Sequence, residues 1–218
     1  MLEHYSLADV PEGHLVKSLL SDAHWRSRVI GLHGIPDDVI DYLEVPLNGL
    51  RQLQGDIDIL LVPPGRPDRA TAIQVKRLKV HETSFVTEIP GKLSELRKLE
   101  RQVNPLAAVG FWQVFSFVFV VVDSRINNAS QFSYAGLTSI LRTKIESAIS
   151  LEGLDLRVGL VHFEFVQPVD HYPLGAGTYS ARPRRMSQPV VQPADVTEWV
   201  ERAVRSANAQ PSHAADSH

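Results

Sequence analysis

Two short segments of alternating polar and apolar residues lie close together in the chain and most constrain its fold. The first is Gly-Asp-Ile-Asp-Ile-Leu-Leu-Val at 55–62, and the second is Thr-Ala-Ile-Gln-Val-Lys-Arg at 71–77. Such alternation is typical of half-buried β-strands. The linker between them, 63–70, is rich in Pro and contains Gly, which favours a turn. The sequence therefore predicts that the two segments pair as a β-hairpin.

The polar positions of these strands predict a chemical site. Successive side chains of a strand point to opposite faces, so Asp56 and Asp58 share one face of the first strand. Gln74 and Lys76 likewise share one face of the second strand. In a hairpin, two carboxylates, a carboxamide and an ammonium would converge on one patch. Such a patch could hold a divalent metal ion and organise a water molecule near a phosphate.

Composition limits the class of protein. The 218 residues, 44% of them hydrophobic, suffice for one sizeable core. The chain contains no cysteine, which excludes disulfides and thiolate metal sites and fits a reducing cytoplasm. We expect no secretory signal, because the first residues lack a basic region followed by an apolar stretch. We expect no membrane helix, because the most apolar run, 114–122, is short and rich in Val and Phe. A net charge of −3 means that nucleic-acid binding would need a local basic patch.

The order of elements predicts an α/β protein. Helical periodicity and strand patterns alternate along the chain as helix, three strands, helix, strand, helix, strand, helix. We expect the helices at 12–29, 92–104 (ending before Pro105), 137–150 and 195–206 (capped by Asp195), and the other strands at 39–47, 112–123 and 156–166. Residues 1–166 are predicted to form the main domain. Residues 167–206 add a Pro- and Gly-rich excursion and a helix packed on that domain, and 207–218 form a disordered tail.

This order, with Asp58 on the second strand and Gln74-Val75-Lys76 on the third, resembles the PD-(D/E)XK nuclease superfamily. The superfamily core is a helix, a three-strand meander, a helix and a further strand. Its signature is an Asp on the second strand, then an acid or Gln, one apolar residue and Lys on the third. Gln in place of the acid occurs in Mrr-like restriction nucleases. The resemblance covers about residues 10–125 and implies a restriction-endonuclease-like core with a mixed sheet of about five strands flanked by helices.

The resemblance also implies a function. It predicts a metal-dependent nuclease that uses Mg²⁺ or Mn²⁺ to hydrolyse phosphodiester bonds in DNA. Asp58, the amide oxygen of Gln74 and the carbonyl of Val75 would bind the metal, and Lys76 would orient or deprotonate the attacking water. Because Gln replaces an acid, another carboxylate is needed. The candidates are Asp56, Glu12 in the first helix and Glu44 in the first strand.

Basic residues near this motif are candidates for contacts with phosphates. They are Arg77, Lys79, Lys98 and Arg101, with Gln102 on the flank of the same predicted helix.

Two alternatives remain open on sequence alone. The first is a catalytically inactive module on the same fold that binds nucleic acid or protein, which Gln74 and the small number of acids favour. The second is an unrelated α/β protein in which the two alternating strands are not neighbours. Apart from these two alternatives, Asp56 and Lys76 could form an ordinary solvent-exposed pair across the two strands. The sequence also leaves open whether the chain forms a homodimer.

Overall fold

A computed structural model of the chain describes residues 10–81, 90–123, 137, 139–167 and 178–209. The helices are α1 Glu12–Ser21, α2 Ala23–Ile30, α3 Pro90–Arg97, α4 Leu99–Val109, α5 Ser139–Ser147 and α6 Ala194–Ala209. The strands are β1 Ile40–Pro46, β2 Asp56–Val62, β3 Thr71–His81, β4 Gln113–Asp123, β5 Val158–Gln167 and β6 Thr178–Arg185. The predicted α/β class is confirmed.

The six strands form one mixed sheet in the order β1-β2-β3-β4-β5-β6. Strand β3 runs parallel to β4, and β4 runs parallel to β5, while the outer pairs are antiparallel. Parallel neighbours need crossover connections, and the chain segments that contain α3–α4 and α5 make them. Strands β2 and β3 are antiparallel neighbours, which confirms the predicted hairpin and excludes the alternative in which these two strands are not neighbours. This architecture is compatible with a restriction-endonuclease-like core.

Helices cover both faces of the sheet. On one face, α1 and α2 bury Leu15, Val16 and Val29 against a layer of phenylalanine side chains from β4 and β5. On the other face, α4, α5 and α6 pack on the sheet through residues such as Val103 and Trp199. We call these the α1 face and the α4 face. Both faces of β4 are therefore buried, as its apolar sequence predicts.

The first predicted helix is in fact two helices. Asp22 has extended backbone angles (φ −93°, ψ 119°), and its side chain accepts hydrogen bonds from the main-chain N–H groups of His24 and Trp25. An aspartate that caps a new helix in this way ends the previous one. The apolar stripe continues across the break, which is why the sequence reads as one helix.

The second predicted helix is also divided, and its predicted end is wrong. Helix α3 ends at Arg97 and α4 begins at Leu99. Pro105 lies inside α4 rather than after it. A proline removes one helical hydrogen bond, but Val103 and Leu106 on either side of it are buried against the sheet and keep the segment helical. The helix ends at Val109 and is capped by Gly110, whose φ of 95° is readily adopted only by glycine.

The C-terminal region differs from the prediction in two places. The stretch 167–194 contains a sixth strand, β6, which pairs with β5 and makes the sheet one strand wider than expected. Helix α6 begins at Ala194, so Asp195 lies in its first turn instead of capping it. The Asp195 carboxylate instead forms a 2.7 Å ion pair with Arg51. The helix continues to Ala209, into the predicted tail; residues 210–218 lie outside the described part.

Candidate active site at the break between two strands

Strand alternation breaks at two residues that lie opposite each other. In β1, Leu43 packs on the α1 face but Val45 packs on the α4 face, although residues two apart in a strand normally share a face. Glu44, between them, has a φ of 51°, an unusual value for a residue with a side chain. In β2, Ile57 packs on the α4 face and Ile59 packs on the α1 face, on either side of Asp58.

The strand register shows that these breaks coincide. Leu43 pairs with Ile59 and Val45 pairs with Ile57, so Glu44 lies across from Asp58. In both strands, the alternation of side chains between the two faces of the sheet is therefore interrupted at the same point. A strained backbone position beside a group of polar residues is a feature that active sites often share.

Strand β2 also leaves β3 at this point. Their ladder contains three pairs, from Leu61–Thr71 to Ile59–Ile73, and ends before Asp58. Beyond the end of this ladder, the carboxamide of Gln74 bridges the two strands. Its Oε1 accepts a 3.2 Å hydrogen bond from the Asp58 N–H, and its Nε2 donates a 3.0 Å hydrogen bond to the Asp56 carbonyl. Gln74 is only 6% exposed.

The parting of the strands opens a cleft under α1 of about 400 Å³, which we call the α1 cleft. Asp58 and Val75 line its floor. The Asp58 Oδ2 accepts a 2.6 Å hydrogen bond from the Val75 N–H, which fixes the carboxylate at the edge of β3. The remaining lining residues come from α1 (Glu12, Gly13, His14, Val16 and Lys17) and from β1 (Leu43 and Glu44).

Three carboxylates line the α1 cleft. The Oε2 of Glu12 accepts a hydrogen bond from the Arg77 N–H. The carboxylate of Glu44 lies against Gly13, where a Cβ atom would come within 2.6 Å of its Oε1. Within the described residues, Glu44 has neither a hydrogen bond nor an ion pair, and no cationic side chain pairs with Glu12 or Asp58. The cleft thus holds three carboxylates and one ammonium, that of Lys17, so its lining carries an excess of negative charge.

The electrostatics of Asp58 reflect this arrangement. Burial is the main cause that raises its pKa, to about 6, and the neighbouring Glu12 and Glu44 carboxylates add to the rise. The hydrogen bond from Val75 and the positive charge of Lys76 oppose it. A carboxyl group with such a raised pKa beside other acids is typical of functional sites.

Lys76 is close enough to Asp58 for its charge to lower the pKa of that carboxyl. Its side chain is half-buried and forms no hydrogen bond or ion pair with any described residue. Lys76 does not line the α1 cleft, since it follows Val75 and so points to the other face of β3. The structure therefore brings Asp58, Gln74 and Lys76 together, but around the parting of β2 and β3 rather than on one flat face.

The other predicted residues are spread more widely. The Asp56 side chain is exposed and lies outside the cleft lining. Arg77 and Lys79 follow Val75 on the α1 face, whereas Lys98 and Arg101 belong to the α3–α4 region on the opposite face. Gln102 is exposed on α4. The predicted basic cluster is thus not one surface.

Sequence reasoning named neither the two apolar residues of the cleft, Val16 and Leu43, nor three others, Gly13, His14 and Lys17. All three belong to α1, where the buried residues Leu15, Val16 and Leu19 form the helix stripe. Helical spacing from Glu12 gives no signal for these three, because none of them lies three or four residues from it.

The three carboxylates line the same cleft but do not converge on one point. In the part of the chain that the structure describes, no group of three or more His, Asp or Glu side chains is placed to hold a metal ion. The free oxygens are Oδ1 of Asp58, Oε1 of Glu12 and both oxygens of Glu44, all within one cavity lining. Oxygen donors of this kind are the ligands that Mg²⁺ and Mn²⁺ prefer, and Gly13 leaves the space in which the Glu44 carboxylate lies.

Comparisons of the chain with protein-family models, with curated proteins and with solved structures find no match. Among the described helices, none is both long and apolar enough to cross a lipid bilayer.

Proposed function

We propose that the chain is a metal-dependent nuclease that hydrolyses phosphodiester bonds in DNA, with Asp58 at the centre of its active site. The observation that carries this proposal is the α1 cleft. Asp58, Glu12 and Glu44 line it together, and none of them has a cationic partner among the described residues. Leaving such like charges together is costly unless a cation binds between them.

The donor set fits Mg²⁺ or Mn²⁺ in its chemistry. Asp58 and Glu44 lie across from each other, and Glu12 of α1 supplies the third carboxylate. The main-chain carbonyl of Val75, a residue of the cleft lining, stays in the proposed ligand set. Asp56 is not part of it, because its side chain lies outside the cleft. A bound metal of this class lowers the pKa of a coordinated water and neutralises charge on the phosphate.

The residues of the chain have separate roles in this proposal. Asp58 is held by the Val75 N–H, so that its second oxygen has a fixed position. Lys76 lies outside the cleft lining but near enough for its charge to act on Asp58. Its ammonium has no partner among the described residues, and in this proposal it would donate to a phosphate oxygen or to the attacking water from the parting of β2 and β3. Lys17 and His14 also line the cleft, and in this proposal they would contact the adjoining nucleic-acid backbone.

A second function is favoured by a specific observation. The Gln74 carboxamide is hydrogen-bonded to the main chain of β2, and the three carboxylates are not placed to form one set of metal ligands. A module that binds nucleic acid without cutting it would need no such set. A cytoplasmic location, which the absence of cysteine favours, and a homodimer both remain proposals.

Cleavage assays distinguish the two functions. Supercoiled plasmid and single-stranded, duplex and RNA oligonucleotides are incubated with the protein and Mg²⁺ or Mn²⁺, with EDTA as the control. A nuclease cuts at least one DNA substrate, loses the activity in EDTA and loses it in Lys76→Ala. Binding without cleavage in any metal supports the second function. A folded Lys76→Ala variant that cuts at the wild-type rate contradicts the assigned site.

A further inference from the structure

We propose that Gln74 is a positioning residue, which holds Asp58 by bridging the main chain of β2, and not a ligand of the metal. The starting observation is where its two hydrogen bonds go. Oε1 accepts from the Asp58 N–H at 3.2 Å, and Nε2 donates to the Asp56 carbonyl at 3.0 Å. Both partners are main-chain groups on the neighbouring strand.

These groups need a partner because the β2–β3 ladder has already ended at Ile59 and Ile73. Main-chain groups left without a hydrogen bond at the edge of a core cost free energy. A carboxamide has one acceptor and one donor on a planar group, as a peptide unit has. Gln74 therefore takes the place of the peptide that β3 would have supplied.

The consequence for Asp58 is that two successive residues of β3 hold it. Gln74 fixes its main-chain N–H, and the Val75 N–H fixes its Oδ2 at 2.6 Å. Asp58 lies where β2 changes face, and the ladder offers it no other restraint on this side. The bridge thus determines where the carboxylate enters the α1 cleft.

The position of Gln74 argues against a role as ligand. Gln74 is absent from the lining of the cleft, although its neighbour Val75 belongs to it. Its carboxamide is buried, with 6% of the residue exposed, and both ends are engaged. A carboxylate here could still accept from the Asp58 N–H, but it could not donate to the Asp56 carbonyl. Glutamine is therefore required at this position and is not a weakened form of an acid.

The bridge itself is independent of the reaction, and only its consequence for Asp58 rests on the proposed function. Two variants separate its two hydrogen bonds. Gln74→Glu keeps the acceptor and loses the donor, whereas Gln74→Met has similar length and loses both. The probes are thermal unfolding without metal, hydrogen exchange of the Asp58 amide, and Mn²⁺ titration followed by electron paramagnetic resonance.

We expect both variants to unfold at a temperature lower by about 3–6 °C, as the loss of one or two buried hydrogen bonds implies for a chain of this size. Exchange of the Asp58 amide should accelerate about tenfold relative to that of Leu60 in Gln74→Met, and much less in Gln74→Glu. Neither variant should bind Mn²⁺ more tightly than the wild type.

Tighter Mn²⁺ binding by Gln74→Glu with an unchanged unfolding temperature would overturn the proposal, because an added ligand charge would then outweigh the lost bridge. Unchanged exchange of the Asp58 amide in a folded Gln74→Met variant would overturn it as well. If the wild type neither cuts DNA nor binds Mn²⁺, the proposed nuclease function fails, while the unfolding and exchange results still decide the role of Gln74.

Discussion

Glu44 lies directly across from Asp58 in the antiparallel pair β1–β2, and the alternation of both strands breaks at these two residues. Like charges directly opposite each other destabilise a sheet, and a positive φ at Glu44 adds strain. The fold tolerates both costs at one place, which is also where β2 parts from β3. A cation bound between the two carboxylates, as we propose, would offset their repulsion.

Replacing Asp58 by Asn should stabilise the protein while it abolishes cleavage. Burial raises the pKa of Asp58 to about 6, so the folded state holds its proton more tightly than the unfolded chain does. Ionisation therefore lowers stability as pH rises from about 4 to 6, and the full cost above that range is about 1–3 kcal/mol. Urea unfolding at pH 8 should show Asp58→Asn to be more stable than the wild type, and the difference should shrink towards pH 4. A variant less stable at pH 8 would show that the charged form is well solvated.

Gly13→Ala should disturb the cleft without harming the fold. Alanine is the better helix former, by up to about 1 kcal/mol in a helix interior and by less in the first turn, where Gly13 lies. Its Cβ, however, would lie 2.6 Å from Oε1 of Glu44 and would displace that carboxylate. We expect an unchanged or higher unfolding temperature together with weaker Mn²⁺ binding and slower cleavage.

Gly153→Ala is the matched control for that variant. A Cβ atom at Gly153 would also meet a glutamate carboxylate, that of Glu100, at a place remote from the α1 cleft lining. Its Mn²⁺ affinity should equal that of the wild type. Equal affinities for all three proteins would remove Glu44 from the site.

Lys76→Met should lower the cleavage rate by a factor of about 100 or more, because an ammonium that stabilises charge in the transition state is lost. Stability should change little, since Lys76 has no hydrogen bond or ion pair with the described residues. The measurements are single-turnover cleavage and thermal unfolding. A large loss of stability would instead assign Lys76 a structural role.

Acid should destabilise the protein through two buried histidines. Burial lowers the pKa of His33 and of His162 to about 4. The unfolded chain, with a pKa near 6.5, takes up these protons first, so stability falls as pH decreases from about 6.5 to 4. Each residue should account for about 2 kcal/mol between pH 7 and pH 5.

The His33 contribution can be isolated by substitution. His33 is 1% exposed, packs against the rings of Phe117 and Phe163, and has no hydrogen bond to either ring nitrogen in the described residues. Its replacement by Leu should flatten the pH dependence of the free energy of unfolding. The same change at His24, which is exposed, should leave the dependence as it is.

Much of the fold could be predicted because its central strands carry clear patterns. Alternation predicts β2 and β3, and the apolar run predicts the buried β4. Strand β6 was not predicted, because its sequence, Thr-Tyr-Ser-Ala-Arg-Pro-Arg-Arg, has few apolar residues and contains a proline. It is an edge strand, and Pro183 pairs beside a register shift in β5. Edge positions tolerate both features.

The site could be predicted only in part. Asp58 can be identified because it is a polar residue in the alternating pattern of β2, close in sequence to Gln74 and Lys76 of β3. Glu12 and Glu44 could be named as additional carboxylates. That Glu44 and not Asp56 lines the cleft depends on the breaks of alternation, which arise from packing on two faces and leave no local signal. The main-chain contacts of Gln74 likewise depend on where β2 leaves β3.

The most direct test is Mn²⁺ binding by the wild type and by two matched variants, Asp58→Asn in the cleft and Asp56→Asn on the same strand outside it. Each substitution removes one negative charge, and the two positions lie two residues apart in the sequence. The account predicts that the wild type and Asp56→Asn bind one ion with similar affinity and that Asp58→Asn loses at least tenfold. Equal binding by all three, or no binding by the wild type, would contradict it.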